Sequence, residues 1–476
     1  VNADIAKTKI LVTLGPSTDS KEKLAAIVDA GVDALRLNFS HGDYQYFEKV
    51  FETINEVCVS KSLPIPILMD LQGPKIRVGE LESPEVELIP GDEIEITTEN
   101  VIGNAKKIST SYELLAEDAD IGDKILIDDG LLMLEVVAKK ENGVVCEIRA
   151  GGTLKPKKGM NLPGMKLSTP SITEKDFSDI DFGLKHRIDF IALSFVRKAA
   201  DIIALKNYLA SKGKDIPVIA KIEKPEAVEN FEEILMAADG IMVARGDLGV
   251  EMKPQEVPII QKSIIRKCKE VGKLVITATQ MLESMIHNPV PTRAEASDVA
   301  NAVIDGTDVV MLSGETSVGK YPVRAVKVMN DILINTENHA NLNGPIKFDI
   351  PENFIDNIFD ATGKAIATVA EQINAALIVV FSENGRQASV ISKFRPKTKI
   401  VALSKKFDVL NRLNMYYGII PYFMDTTPDE DDCIKKALVL LKEKELIKPG
   451  DLILLTSGEP GTGDQSRQWM RFVTVK

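Results

Sequence analysis

The chain has 476 residues, 44% of them hydrophobic and 27% charged, which is too long for one ordinary core and predicts two or three globular domains. Its formal net charge of −12 argues against nucleic acid or an anionic membrane as the main partner, so any phosphate chemistry must rest on local basic residues. No run of about 18 or more apolar residues appears and the start carries no basic-then-apolar signal, so a soluble, cytoplasmic protein is expected.

In chain order, residues 9–15 read as a strand, 21–30 as a helix ending at Gly31, 34–39 as a second strand, 44–61 as a long helix and 65–70 as a third strand ending in Asp70. This rhythm predicts a parallel sheet with right-handed crossovers. It breaks after Gly73-Pro74, where short strands at 86–88, 93–97, 124–127, 132–138 and 144–149 alternate with Gly, Asn and Asp turns. The stretch reads as a small β domain inserted in the loop after strand three, able to act as a lid. Gly151-Gly152, Lys155 to Gly159 and Asn161 to Gly164 read as its return hinge and mouth-facing loop.

The rhythm resumes with strands at 190–195, 217–223, 240–244, 274–279 and 308–312, each followed by a helical pattern. Three strands before the insertion and five after it make the eight of a (β/α)8 TIM barrel. Beyond Asn343-Gly344-Pro345 a helix at 361–372 and strands at 376–382, 399–403, 421–424 and 451–456 predict a separate α/β domain. The expected division is 1–73 with 170–340 for the barrel, 74–169 for the lid and 345–476 for the C-terminal domain. Cys58, Cys146, Cys268 and Cys433 lack paired spacing, so reduced thiols are expected; the four histidines are equally dispersed.

Loops leaving the carboxyl ends of barrel strands build the active site, and here those ends turn polar. Strand five ends Lys221-Ile222-Glu223 and strand six runs into Arg245-Gly246-Asp247, so Glu223 and Asp247 from adjacent strands form an oxygen site for a hard divalent cation such as magnesium. Arg36, Asn38 and Ser40 alternate onto one side of strand two, and Arg36 with Arg77 suits a phosphoryl group. Gly246 and Gly249 permit a tight strand-to-helix turn whose amides would bind a carboxylate. Strands seven and eight add Thr279 and Ser313. Taken from the residues alone, this is a magnesium-dependent barrel enzyme acting on a phosphorylated carboxylic acid.

Seven motifs carry a further resemblance. They are Leu35-Arg36-Leu37-Asn38-Phe39-Ser40-His41-Gly42, Asp70-Leu71-Gln72-Gly73-Pro74-Lys75-Ile76-Arg77, Ala220-Lys221-Ile222-Glu223-Lys224-Pro225, Val243-Ala244-Arg245-Gly246-Asp247-Leu248-Gly249, Thr277-Ala278-Thr279-Gln280-Met281-Leu282, Pro291-Thr292-Arg293-Ala294-Glu295 and Met311-Leu312-Ser313-Gly314-Glu315-Thr316. In this order, with a β insertion at this place, they resemble the pyruvate kinases. The resemblance implies phosphoryl transfer from phosphoenolpyruvate to ADP, giving pyruvate and ATP, in a homotetramer of glycolysis. It implies Glu223 and Asp247 as ligands of Mg2+ or Mn2+, and Lys221 as the group neutralising the phosphoryl and the enolate. Arg36 and Arg77 would hold phosphate oxygens, Asn38, His41 and the lid's Lys158 would lie near the nucleotide, and Thr279 with Ser313 would guide protonation through water.

Two departures stand out. Potassium-dependent members use positions matching Asn38, Ser40, Asp70 and Leu71, with Thr at the last, and carry Glu where this chain has Lys75, so K+ is expected to be dispensable. Members activated by fructose 1,6-bisphosphate carry a lysine where the effector run Ser382-Glu383-Asn384-Gly385-Arg386-Gln387 has Glu383, which leaves room only for a smaller phosphate. The glycine-rich run 457–463 is expected to close over that ligand. The alternatives are a barrel lyase or aldolase sharing Glu223 and Asp247, and a metabolite sensor with a damaged site; no named site residue is lost.

Overall fold

The computed structural model describes residues 6–342, 358–425, 429–459 and 467–476. The boundary at 343–345 and the end of the glycine-rich run, 460–463, lie outside them. Eight parallel strands, Lys9–Thr13, Ala34–Asn38, Ile67–Asp70, Phe190–Leu193, Val218–Ile222, Gly240–Ala244, Leu274–Ala278 and Val309–Leu312, close in chain order, the last pairing with the first. Alternation sorts each strand onto two faces. Ile10, Val12, Leu35 and Val243 pack outward into the layer shared with the helices, while Leu11, Ala34, Leu68, Ile219 and Met242 fill the interior. Two residues further along those inward rows come Arg36, Asp70 and Lys221, so the rows that make the core deliver charge at the carboxyl end of the barrel.

Local sequence sets the helix starts. Thr292 and Glu295 form a capping box at Arg293–Asp305, and the Asp43 carboxylate caps Tyr44–Lys61. The Glu295 carboxylate also accepts from the Ser284 amide, which ties the seventh loop to this helix.

The chain leaves the barrel at Gly73, where φ is +67° and a Cβ would stand 2.9 Å from the Phe195 ring, so only glycine fits. The lid has a six-stranded sheet and a separate two-stranded one. Its five expected strands are present, and three more were not foreseen: Lys107–Ser109, Gly152–Leu154 and Met160–Asn161. The reading of Gly151-Gly152 as the return hinge is therefore corrected. Gly152–Leu154 pairs with Val86–Leu88 inside the lid, and Gly151 is needed because a Cβ there would meet the Leu88 carbonyl at 2.1 Å. The return instead passes through Leu167, Ser168 and Thr169. Arg197 of the barrel donates to the carbonyls of Leu167 and Thr169, and Asp118 of the lid accepts from the Ser168 amide and hydroxyl.

The C-terminal sheet runs Ile419–Phe423, Lys399–Ser404, Leu377–Phe381, Leu452–Glu459, Arg467–Thr474, with the last strand antiparallel and unforeseen. The sheet changes direction between Leu377–Phe381 and Leu452–Glu459, so the loop 382–385 opens from a switch point. This domain sits against the amino end of the barrel. Met415 joins the barrel's interior cluster, and Asn411 donates to Asp189 at 3.0 Å. All four cysteines are free and buried, and no helix among the described residues is long and apolar enough to cross a membrane.

Candidate active site

The inward rows meet at Lys221. Its ammonium lies 2.7 Å from Glu223 Oε1, 3.3 Å from Asp70 Oδ1 and 2.8 Å from Ser194 Oγ. Asp70 Oδ2 accepts from Arg36 Nε at 2.7 Å, and Arg36 Nη1 donates to Thr13 Oγ1. Arg36 Nη2 has no partner among the described residues and stays available to an anion. Burial works against the Lys221 ammonium, but Asp70, Glu223 and Asp247 outweigh it and raise its pKa above the ordinary value. Burial likewise opposes ionisation of Asp70, yet Lys221 and Arg36 keep it below the usual carboxylate range.

Glu223 behaves differently. Burial pushes its carboxyl up, Lys221 pulls it down, and the charge of Asp247 pushes it up again. Its second oxygen accepts from the Phe195 amide at 2.7 Å. Asp247, in the first turn of Arg245–Glu251, takes no hydrogen bond among the described residues. Two carboxylates that repel each other at a polar mouth fit a hard cation, and Mg2+ needs only one or two protein carboxylates because water and substrate oxygens complete its shell. Among the described residues no cluster of three or more His, Cys, Asp or Glu offers a full protein cage.

Beside this corner, strand seven ends in a strained turn: Thr279 and Gln280 both take positive φ, +66° and +52°. The Thr279 hydroxyl donates to the Ala278 carbonyl at 2.6 Å and accepts from the Gly246 amide at 2.7 Å. A substrate carboxylate must share that amide or take it over. Ser313 Oγ is buried and unpartnered, and with Thr279 and Asp247 it borders a cavity of about 1060 Å3. Glu315, fully buried, accepts from the amides of Leu282 and Ser313 and so joins the seventh and eighth loops.

Between lid and barrel lies a second cleft, bordered by Lys75, Arg77, Lys158 and Asp247. Lys158 pairs with Asp128 at 2.8 Å, and Arg77 Nη1 donates to the Lys157 carbonyl at 3.1 Å. His41 is exposed; partial burial, then Lys75, Arg77 and Arg36, lowers its pKa. Asn38 Oδ1 accepts from the Ser40 amide at 3.1 Å, so the two are held as one turn. Leu71 faces the apolar layer at 1% exposure and brings no oxygen from its side chain. In the C-terminal loop Ser382 Oγ accepts from the Gly385 amide and Asn384 Oδ1 from the Arg386 amide. The Arg386 guanidinium stacks 4.1 Å from the Phe359 ring centre, and Glu383 pairs with Lys406 at 3.2 Å.

The structure thus brings together Arg36, Asp70, Lys221, Glu223, Asp247, Thr279 and Ser313 at one mouth, with Asn38, His41, Lys75, Arg77 and Lys158 towards the lid. The sequence reading missed Ser194, Phe195 and the role of Arg245 and its partner Asp298. The hydroxyl closing strand four was the one signal for Ser194; Phe195 acts through its amide, which any residue offers.

Comparison with known proteins identifies the family. The family profile described as "Pyruvate kinase, barrel domain" matches residues 5–326, and "Pyruvate kinase, alpha/beta domain" matches residues 360–471. The chain is 45% identical to the pyruvate kinase of Geobacillus stearothermophilus over 457 residues, covering 95% of this chain and 78% of that one. It is 43% identical to pyruvate kinase 2 of Synechocystis over 456 residues, covering 95% and 76%. The crystal structure of a pyruvate kinase from Cryptosporidium parvum superimposes with a TM-score of 0.92 at 39% identity, covering 99% of this chain and 96% of that one. With both of its matched domains and its overall fold in common with these enzymes, the chain belongs to the pyruvate kinase family and is an enzyme acting on phosphoenolpyruvate, pyruvate and ADP or ATP with a divalent metal.

Proposed function

We propose that the chain makes pyruvate and ATP from phosphoenolpyruvate and ADP with the strand-end residues in distinct roles. The observation that carries this is the buried ammonium of Lys221, held among Asp70, Glu223 and Ser194 at the point where the inward rows end. Such a fixed cation costs no reorganisation when charge develops on the phosphoryl group and then on the enolate. Glu223 and Asp247 would hold the divalent cation, taken here as Mg2+ with Mn2+ as a substitute. Bound there, the metal supplies Lewis-acid stabilisation of the substrate's oxygens. Arg36, through its free Nη2, and Arg77 orient the phosphoryl group. Asn38, His41 and Lys158 would meet the nucleotide phosphates, a role supported for Lys158 by its position on the cleft between lid and barrel. The Asp247 amide receives the carboxylate together with the Gly246 amide, which it shares with the Thr279 hydroxyl, and Thr279 with the unpartnered Ser313 hydroxyl holds the water that protonates the enolate. A threonine hydroxyl alone is too weak an acid.

The domain division 1–73 with 170–340, 74–169 and 345–476 is supported by where the sheets begin and end. Potassium independence is supported by Lys75, which lies with Arg77 and Arg36 close enough to depress His41, and by the absence of a side-chain oxygen at Leu71. An effector site at 382–386 of a cytoplasmic homotetramer is supported by the family alone. The test is a coupled assay: pyruvate must form only when ADP is present, which a lyase, an aldolase or a sensor does not require. In the same assay Lys221→Met should lower kcat far more than it raises KM, because the ammonium acts most where charge develops. A change confined to KM would sink that role.

A further inference from the structure

We propose that Arg245, anchored by Asp298, is a positioning residue for protonation, clamping the Thr279–Gln280 turn against the segment that carries Gly246 and Asp247; this rests on the reading that Thr279 flanks the enolate carbon. The guanidinium is wholly engaged by protein. Its Nε donates to the Ala278 carbonyl at 3.1 Å, its Nη2 to the Thr279 carbonyl at 2.6 Å and to Met281 Sδ, and its Nη1 to both Asp298 oxygens at 2.7 and 2.6 Å. Its side chain is 12% exposed. Arg36 keeps a nitrogen for an anion; Arg245 keeps none, so its place beside the site calls for a different purpose.

That purpose is visible in what it grips. Thr279 is β-branched with φ at +66° and is followed by Gln280 at +52°, a pair that L residues adopt only when their surroundings hold them there. Both carbonyls bound by Arg245 belong to the end of this strand, at Ala278 and Thr279. The next amide in the chain, Gly246, binds the Thr279 hydroxyl. Two adjacent residues of the sixth loop therefore fix the backbone and the hydroxyl of Thr279. Asp298, on the helix Arg293–Asp305 whose capping box is tied to the seventh loop, supplies the counter-charge and sets the guanidinium plane.

The consequence falls on one half of the reaction. As pyruvate forms, the bond from phosphorus to the enol oxygen breaks while the bond to the β-phosphate oxygen of ADP is made; the enolate then takes a proton on its methylene carbon from water, which bulk solvent replenishes. The clamp bears on the second event, which needs water on one face, and scarcely on the first.

Turnover of phosphoenolpyruvate carrying deuterium at one defined position of its methylene, in tritiated water with lactate dehydrogenase trapping the product, reads this directly as the handedness of the methyl group. The unmodified enzyme should give one hand. Asp298→Asn and Arg245→Lys should each give a mixture, with kcat lower by roughly ten-fold, since a displacement of about 1 Å costs up to ~100-fold, and KM for phosphoenolpyruvate within about three-fold. One hand in Asp298→Asn would overturn the clamp, whereas a mixture in Asp298→Asn with one hand regained in Asp298→Glu would support it. Thr279→Ala separates the two claims. If it keeps one hand, the reading of Thr279 is wrong and the clamp falls with it; if it gives a mixture while either Arg245→Lys or Asp298→Asn keeps one hand, the positioning inference alone is overturned. A thermal melt accompanies each variant, and should Arg245→Lys not fold, the isosteric Asp298→Asn decides.

Discussion

Glu223 is under opposed pressures whose balance predicts how metal and pH act on the protein. Burial and the charge of Asp247 raise its carboxyl above the ordinary 4.5 in spite of Lys221, so the folded protein holds that proton more tightly than the unfolded chain does. Stability from this group is therefore greatest at low pH and is lost as pH rises from the unfolded value through the raised folded one. A divalent cation between Glu223 and Asp247 removes the cost, so the rise in melting temperature on adding Mg2+ should grow with pH over that interval. Glu223→Gln should abolish this Mg2+ effect while leaving the metal-free protein at least as stable, and turnover should fall by at least ~100-fold, as expected when several kcal/mol of charge stabilisation is lost. Near-normal activity in either Glu223→Gln or Asp247→Asn would refute the ligand assignment. The neighbouring cation question turns on Lys75. Its ammonium adds one positive charge to the lid side of the site, as a bound K+ would, and the Leu71 side chain is turned into the core. Activity in buffer free of Na+ and K+ should equal that in K+, and Lys75→Glu should create a K+ requirement; strong K+ activation of the unmodified enzyme would end the idea.

The barrel strands were legible because a strand buried on both faces is a continuous apolar run, and its polar terminus stands out against it. For the same reason Lys221, Glu223 and Asp247 stand out in the sequence at the ends of apolar runs. The lid was harder. Lys107–Ser109 and Met160–Asn161 have three and two residues, too short for alternation to register, and the Gly151-Gly152 pair reads as a hinge until its close approach to Leu88 is seen. Arg467–Thr474 escaped because both its faces are partly covered, Trp469 and Val473 packing on one cluster and Met470 on another, which erases the alternation. The true return segment carries no glycine beyond Gly164; it is defined by long-range bonds from Arg197 and Asp118, invisible in sequence. This gives the lid a testable hinge. Arg197→Met removes two carbonyl contacts while Asp118 still grips Ser168, freeing the hinge from the barrel alone. Hydrogen bonds to a charged group are worth about 1.5–3 kcal/mol each, so KM for ADP should rise roughly ten-fold with that for phosphoenolpyruvate nearly unchanged. Protease cleavage near 167–169 should quicken. An equal rise in both Michaelis constants would show that the segment supports the barrel mouth rather than the lid.

At the scale of the whole molecule, the C-terminal domain holds both a loop resembling an effector site and the contacts that seat it under the barrel. The helix Arg386–Lys393 starts at that loop, and just beyond it Arg395 donates to the carbonyls of Gly306 and Thr307 and to Asp308, with its guanidinium 3.9 Å from the Tyr417 ring. Asp308 leads directly into Val309–Leu312, which ends at Ser313. A ligand held at 382–386 would sit one helix away from a buried ion pair at the base of strand eight, a physical route by which its occupancy would bias the mouth. For a phosphorylated ligand at that loop, the charge of Glu383 restricts the choice. Where the family resemblance implies a lysine in members activated by fructose 1,6-bisphosphate, this chain has a carboxylate paired with Lys406. Two unit charges about 5 Å apart at an effective dielectric near 20 interact by roughly 3 kcal/mol, and exposure of both side chains screens this to about 1 kcal/mol. Exchanging attraction for repulsion still costs an affinity factor of about ten or more. The Gly385 and Arg386 amides are capped by Ser382 and Asn384, so one phosphate would have to take them over or use the amides that follow. Fructose 1,6-bisphosphate should therefore leave the half-saturating phosphoenolpyruvate concentration unchanged, which leaves a smaller phosphate, such as a sugar monophosphate or AMP, as the class of effector to titrate. Glu383→Lys should bring in a response to the bisphosphate. Titrating phosphoenolpyruvate with each effector decides the point, and a marked drop with fructose 1,6-bisphosphate on the unmodified enzyme would mean that Lys406 leaves Glu383 to serve the incoming phosphate.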